Sequence, residues 1–174
     1  MKVTILQRDI LWGDVRTNLM RASEALDACP DSDLYVFPEM FTTGFCVEPE
    51  GVAEAVEGET LAWMKIKSAQ TGAAIAGSVP VCQDGKYYNR FYFVEPDGTV
   101  SQYDKKHLFT YGGEHQHFTA GDKRVVVEWK GVRILLEICY DLRFPMWARN
   151  RKDYDMIIYV AISTPSSHSA IIFP

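Results

Sequence analysis

The sequence predicts an α/β layered fold built on a mixed sheet. Helix-period segments link apolar strands in the first half, "QDGK" and "PDGT" join later strands as hairpins, and 47% of the 174 residues are hydrophobic. A chain of this length and composition suits one domain, residues 1–174, with a real core.

The elements follow in order. "KVTILQ" reads as a first strand, and Asp14 can cap a helix through "VRTNLMRASEALDA", where Leu19, Ala22, Ala25 and Leu26 recur at helical spacing. "CPDSD" breaks that helix, "LYVFP" is a short buried strand stopped by Pro38, and a loop from Met40 to Gly51 follows. "ETLAWMKIKSAQTG" predicts a second helix ended by Gly72. The strands "AAIAGSVPV", "YYNRFYFVE" and "VSQYD" then meet through the two hairpin turns. Lys105 to Lys123 is polar and glycine-rich, and is expected to lack regular structure. Loops of that length in small domains tend to carry function. "RVVVEW" and "VRILLEI" pair across "KG", "RFPMWARN" makes a short helix or turn, and "YDMIIYVAI" is a last strong strand.

Composition excludes several classes. The net charge of -5 is spread along the chain without a basic stripe or arm, so no nucleic-acid surface is expected. No apolar run approaches the roughly 20 residues that span a bilayer, and "MKVTILQRDI" lacks the features of a signal peptide; a cytoplasmic protein without membrane partners is expected. Cys29, Cys46, Cys82 and Cys139 are widely separated, as free thiols in a reducing compartment would be.

Three residues stand where chemistry could be placed: Glu39 in "YVFPEMF", Lys105 in "YDKKHLF" and Cys139 in "VRILLEICYDLRFP". A carboxylate, an ammonium and a thiol suffice for acyl transfer: the carboxylate takes the thiol proton, the sulfur attacks a carbonyl, and the ammonium stabilises the oxyanion. Each also has a plainer role open to it: Cys139 as a small core residue, Glu39 as a surface turn residue, and Lys105 as one of a solvated lysine pair. Glu114, His115 and His117 in "GEHQHF", with Cys139 as a distant fourth, could in principle hold a metal. The paired spacings of structural zinc and an HExxH motif are both absent, so no metal is expected. The aromatics of "YYNRFYFVE" are read as sheet packing.

Taken in order, "FPEMFTTGF", "YDKKHLF", "GEHQHFTAG" and "CYDLRFP" resemble the successive motifs of the nitrilase superfamily of carbon-nitrogen hydrolases, and the resemblance runs from Met1 to about Ala161. "PEMFTTGF" and "CYDLRFP" look most like its omega-amidase branch, which hydrolyses the terminal amide of small dicarboxylate monoamides such as 2-oxoglutaramate. The resemblance implies a four-layer α-β-β-α sandwich, usually paired as a homodimer near the nucleophile, and a reaction that needs no cofactor. It implies Glu39 as general base, Cys139 as nucleophile and Lys105 as the oxyanion-stabilising lysine; Lys106 matches a position that need not be lysine. Glu114 matches a second carboxylate that helps position the lysine and the substrate, and the backbone N–H of Tyr140 would complete the oxyanion hole. Arg143 is the candidate cation for a substrate carboxylate, with a structural salt bridge as its alternative role.

After "YVA" the chain reads "ISTPSSHSAIIFP", where the family has a Trp-Pro and Arg-containing segment, a further helix and more strands. Residues 162–174 therefore form an atypical tail, and the sandwich is expected to be incomplete, with apolar surface on "YDMIIYVAI" and "VRILLEI" left exposed. A catalytically inactive chain acting as a binding or assembly module is the alternative to an amidase.

Overall fold

The computed structural model describes residues 1–162 and the backbone of residues 171–173. Strand β1 (Val3–Ile5) leads to helix α1 (Val15–Ala28), whose first turn is closed by the Asp14 carboxylate accepting the Thr17 N–H at 3.0 Å. Strands β2 (Leu34–Val36) and β3 (Glu54–Ala55) precede helix α2 (Glu59–Thr71), which ends on Gly72 at φ +66°. That left-handed cap favours glycine, as the sequence predicts. Strands β4 (Ala74–Gln83), β5 (Lys86–Val94) and β6 (Val100–Asp104) form a meander. The one-turn helix α3 (Glu114–His117), strands β7 (Val126–Trp129) and β8 (Val132–Ile138), one-turn α4 (Pro145–Ala148), β9 (Met156–Val160) and β10 (Ile171–Phe173) complete the described order.

Two mixed sheets result. The first runs β1-β2-β4-β5-β6, with β3 also pairing to the far end of β4; the second runs β10-β9-β8-β7. β1, β2 and β4 are parallel neighbours linked through the helices, as are β8 and β9, while the hairpins supply the antiparallel pairs.

Period-two alternation sorts each strand between layers. Tyr35, Ile75, Val79, Tyr92 and Val94 face α1 and α2, where Leu19, Ala22, Leu26, Leu61 and Met64 bury the helical stripes. Leu34, Val36, Ala74, Ala76, Phe91 and Phe93 point the other way, into a core shared with Ile134, Leu136, Ile138, Ile158 and Val160 of the second sheet. These are the α-β-β layers of the expected sandwich.

Several expectations are corrected. The outer face of the second sheet is not bare: Leu135, Ile157 and Tyr159 are buried, packed with Ala148 and with Val126, Leu142 and Tyr154. The segment from Lys105 to Lys123 is partly regular, with a 3-10 turn over Thr110–Gly112 and then α3. Of the atypical tail, Ile162 and the β10 backbone are described, and β10 adds an antiparallel strand to β9; the reading of 163–170 and 174 lies outside the described residues. Among the described residues no helix is long and apolar enough to cross a membrane.

Candidate active site

Glu39, Lys105 and Cys139 all stand at the C-terminal ends of strands, and the fold brings them together. Pro38 ends β2, and the chain then turns through Met40 at φ +45°, held by its N–H donating to Ser78 Oγ at 3.0 Å. Gly77 makes room for this turn, since a Cβ there would lie 3.0 Å from both the Phe37 and Phe41 side chains. Lys105 follows β6 directly. Its carbonyl accepts the Gly121 N–H at 2.9 Å, and a Cβ on Gly121 would collide with the Asp104 carbonyl, so only glycine lets the loop return so close. Cys139 follows β8 at φ +43°, the first residue of a 3-10 turn through Arg143. Non-glycine residues at positive φ cost energy that the surroundings must offset, and here two of them mark the site.

Burial rules out the plainer roles of Glu39 and Lys105, while Cys139 is partly buried against the core between the sheets. Glu39 is 0% and Lys105 1% exposed, so neither is a solvated surface residue. Lys105 Nζ donates to Glu39 Oε1 at 2.8 Å and to Glu114 Oε2 at 2.9 Å, which leaves one of its three donors uncommitted among the described residues. Burial alone would lower the lysine's pKa, but the Glu39 and Glu114 charges outweigh it and hold the ammonium well above its ordinary range. Glu114 Oε2 also accepts the Phe109 N–H at 2.6 Å, tying α3 back onto the loop.

The Cys139 thiol is pushed well above its ordinary range, first by burial and then by the Glu39 charge, with Lys105 opposing. Such a thiol is protonated at neutral pH and needs a base at the moment of attack. The carboxylate, ammonium and thiol so arranged can perform acyl transfer at a carbonyl.

Sequence reasoning missed two groups. Asn89, in the middle of β5, donates its amide to Glu39 Oε1 at 2.8 Å and to Glu114 Oε1 at 3.1 Å; the polar pair Asn89 and Arg90, both buried, among the aromatics of "YYNRFYFVE" was the available signal. The second group supports Cys139. Asp141 accepts the Ile138 N–H through Oδ2, and both the His107 N–H and, at 2.8 Å, His107 Nδ1 through Oδ1. The Tyr103 hydroxyl donates to Asp141 Oδ2 at 2.7 Å and lies 3.2 Å from Glu137 Oε2. Glu137 is pushed up to about 9, by burial first and then by the Asp141 charge, so it is protonated at neutral pH and can donate to the tyrosine oxygen.

The remaining expected residues are placed as follows. Tyr140 is half-buried in a chain of rings, 5.2 Å from Phe109 and 5.5 Å from Phe144; Phe45 lies 6.3 Å from Phe109 and 5.7 Å from Lys105 Nζ. These rings line one side of the cluster. Arg143 is exposed, and no ion pair involves it among the described residues, so the salt-bridge alternative is not met there. His115 is exposed and His117 Nδ1 lies 3.5 Å from Glu50, while Glu114 turns inward to Lys105. Among the described residues no group of His, Cys, Asp and Glu is arranged to hold a metal.

Comparison with known proteins finds relatives along nearly the whole chain. Residues 2–172 match the family described as carbon-nitrogen hydrolase. The chain is 47% identical over 161 residues to the omega-amidase YafV of Yersinia enterocolitica, covering 92% of this chain and 62% of that protein. It is 34% identical over 155 residues to the 2-oxoglutaramate amidase of Bacillus subtilis, covering 86% of this chain and 60% of that one. The crystal structure of XC1258 from Xanthomonas campestris, a CN-hydrolase superfamily protein with an arsenic adduct in its active site, superposes with a TM-score of 0.90 at 37% identity, covering 95% of this chain and 66% of that one. The chain thus spans somewhat under two thirds of the length of the two amidases.

Proposed function

Because this chain belongs to the carbon-nitrogen hydrolase family, we propose that it hydrolyses the terminal amide of a small carboxylate substrate, a 2-oxoglutaramate-like omega-amide, through a cysteine thioester. The observation that carries this reading is the buried Glu39-Lys105-Glu114 cluster, with Cys139 close enough for Glu39 and Lys105 to act on its thiol. The names of the 47% and 34% identical relatives support the substrate class.

Cys139 Sγ attacks the amide carbonyl as Glu39 takes the thiol proton. The uncommitted donor of Lys105, with the Tyr140 backbone N–H, stabilises the oxyanion. Collapse of that intermediate breaks the carbon-nitrogen bond, and the proton on Glu39 passes to the departing nitrogen, which leaves as ammonia. A water then gives its proton to Glu39 and attacks the thioester, releasing the acid and the thiol. No metal or organic cofactor takes part. Arg143, exposed and without an ion pair among the described residues, is the cation proposed to receive the substrate's own carboxylate, and the working unit is proposed to be a homodimer.

The test is ammonia release from 2-oxoglutaramate by the wild-type protein, Cys139→Ala and Glu39→Gln. Each substitution should lower kcat by about 10⁴-fold or more. Undiminished turnover by Cys139→Ala would overturn the reading, and a wild-type chain that binds the amide without releasing ammonia would favour a binding module instead.

A further inference from the structure

Asn89 contacts all three charged residues of the cluster, both carboxylates through its side chain and Lys105 through the backbone. The Arg90–Asp104 register of β5 and β6, clamped by a two-point ion pair at 2.7 and 2.9 Å, sets Asn89 beside Lys105, and the Asn89 carbonyl accepts the Lys105 N–H at 3.0 Å. Its side-chain Nδ2 bridges the two carboxylates, at 2.8 Å to Glu39 Oε1 and 3.1 Å to Glu114 Oε1. The orientation of the amide is forced, because the reverse would set its oxygen against two anions. The consequence is a buried Oδ1 without a partner among the described residues, a cost that packing alone does not explain.

Glu39 Oε1 receives both Lys105 and Asn89, whereas among the described residues Oε2 receives only a long 3.4 Å contact from the Ile162 N–H. We propose that Asn89 is a positioning residue: it spaces the two carboxylates and pins Glu39 through Oε1, so that Oε2 is the oxygen left to exchange the proton with Cys139. One proton leaves Sγ for Oε2 as the sulfur-carbon bond forms, and the same proton passes to the departing nitrogen. A neutral donor is required at this place. A third carboxylate would compete for Lys105, and an apolar residue would leave Glu39 free to rotate and Glu114 unspaced.

This rests on the amide-hydrolase reading, and the experiment separates the two. Asn89→Leu removes both donors with the same branching, and Asn89→Asp keeps the shape while adding a charge. Two readouts are compared across pH: ammonia release from 2-oxoglutaramate, and the rate of Cys139 alkylation by iodoacetamide, located by peptide mass mapping, which needs no turnover. Both variants should lose about 100-fold in kcat with KM changed by less than about threefold. In Asn89→Asp the acid limb of both pH profiles should move up by about one unit, because the extra carboxylate favours retention of a proton in the cluster. Wild-type kcat and unmoved profiles would overturn the proposal, as would losses in both variants that match their unfolded fractions by circular dichroism. If the wild-type chain releases no ammonia while the alkylation profile still moves, the amidase reading fails and the role of Asn89 stands; if neither responds, both fail.

Discussion

Lys105 Nζ lies 2.8 Å from Glu39 Oε1, with both side chains fully withdrawn from solvent. In the exposed Lys65–Glu57 pair, by contrast, screening leaves about 0–1 kcal/mol. A buried pair behaves differently when broken, because the surviving charge is stranded. Lys105→Met should destabilise the protein by about 3–5 kcal/mol near neutral pH, with Glu39 and Glu114 left facing each other. Urea melts of the two proteins check this, and a deficit below about 1 kcal/mol would mean that no charge is stranded.

Cys139 offers a spectroscopic check. Burial and the Glu39 charge raise its pKa, so the ultraviolet thiolate absorbance that distinguishes wild type from Cys139→Ser should stay flat from about pH 6 to about pH 10. A rise centred near the ordinary value of about 8.5 would show that neither effect operates.

Glu137 makes stability depend on pH. Its folded-state pKa of about 9 lies above the ordinary 4.5, so the native state binds this proton more tightly than the unfolded chain does. The resulting stability is fully present below about pH 4.5 and is lost as pH rises through about 9, with a slope of at most about 1.4 kcal/mol per pH unit. Glu137→Gln should therefore match wild type near pH 5 and gain on it progressively toward pH 9. Parallel curves across that range would contradict the assignment.

Asp141 gathers donors from Ile138, His107 and Tyr103 around the turn that holds Cys139 at positive φ. An amide supplies one acceptor oxygen where the carboxylate supplies two. Asp141→Asn should cost about 2–4 kcal/mol and lower kcat more than it raises KM, because the turn that presents the sulfur loosens. Differential denaturant melts and steady-state kinetics check both parts. A variant with normal stability and kcat would mean the turn holds without this carboxylate.

What the sequence made legible were residues whose place is set locally. Glu39 and Cys139 come just after apolar strands and Lys105 opens the glycine-rich loop after β6, and in each case the strand fixes where the group emerges. The cap at Asp14 and the stop at Gly72 were legible for the same reason. Asn89 was hidden because its partners lie 50 and 25 residues away and its strand reads as core. His107 and Asp141, 34 residues apart, carry no mutual signal, and a two-residue strand such as Glu54–Ala55 is too short for any periodicity. The cover on the outer face of the second sheet depends on where the turn after Cys139 folds, which only tertiary packing decides.

Intact mass spectrometry of the protein quenched in acid during turnover of 2-oxoglutaramate, with ammonia measured in parallel, tests the thioester most directly. An acyl adduct equal to the substrate less ammonia, mapped to Cys139 and absent in Cys139→Ala, is expected. Ammonia release with no adduct on Cys139, or with the adduct on another residue, would contradict it.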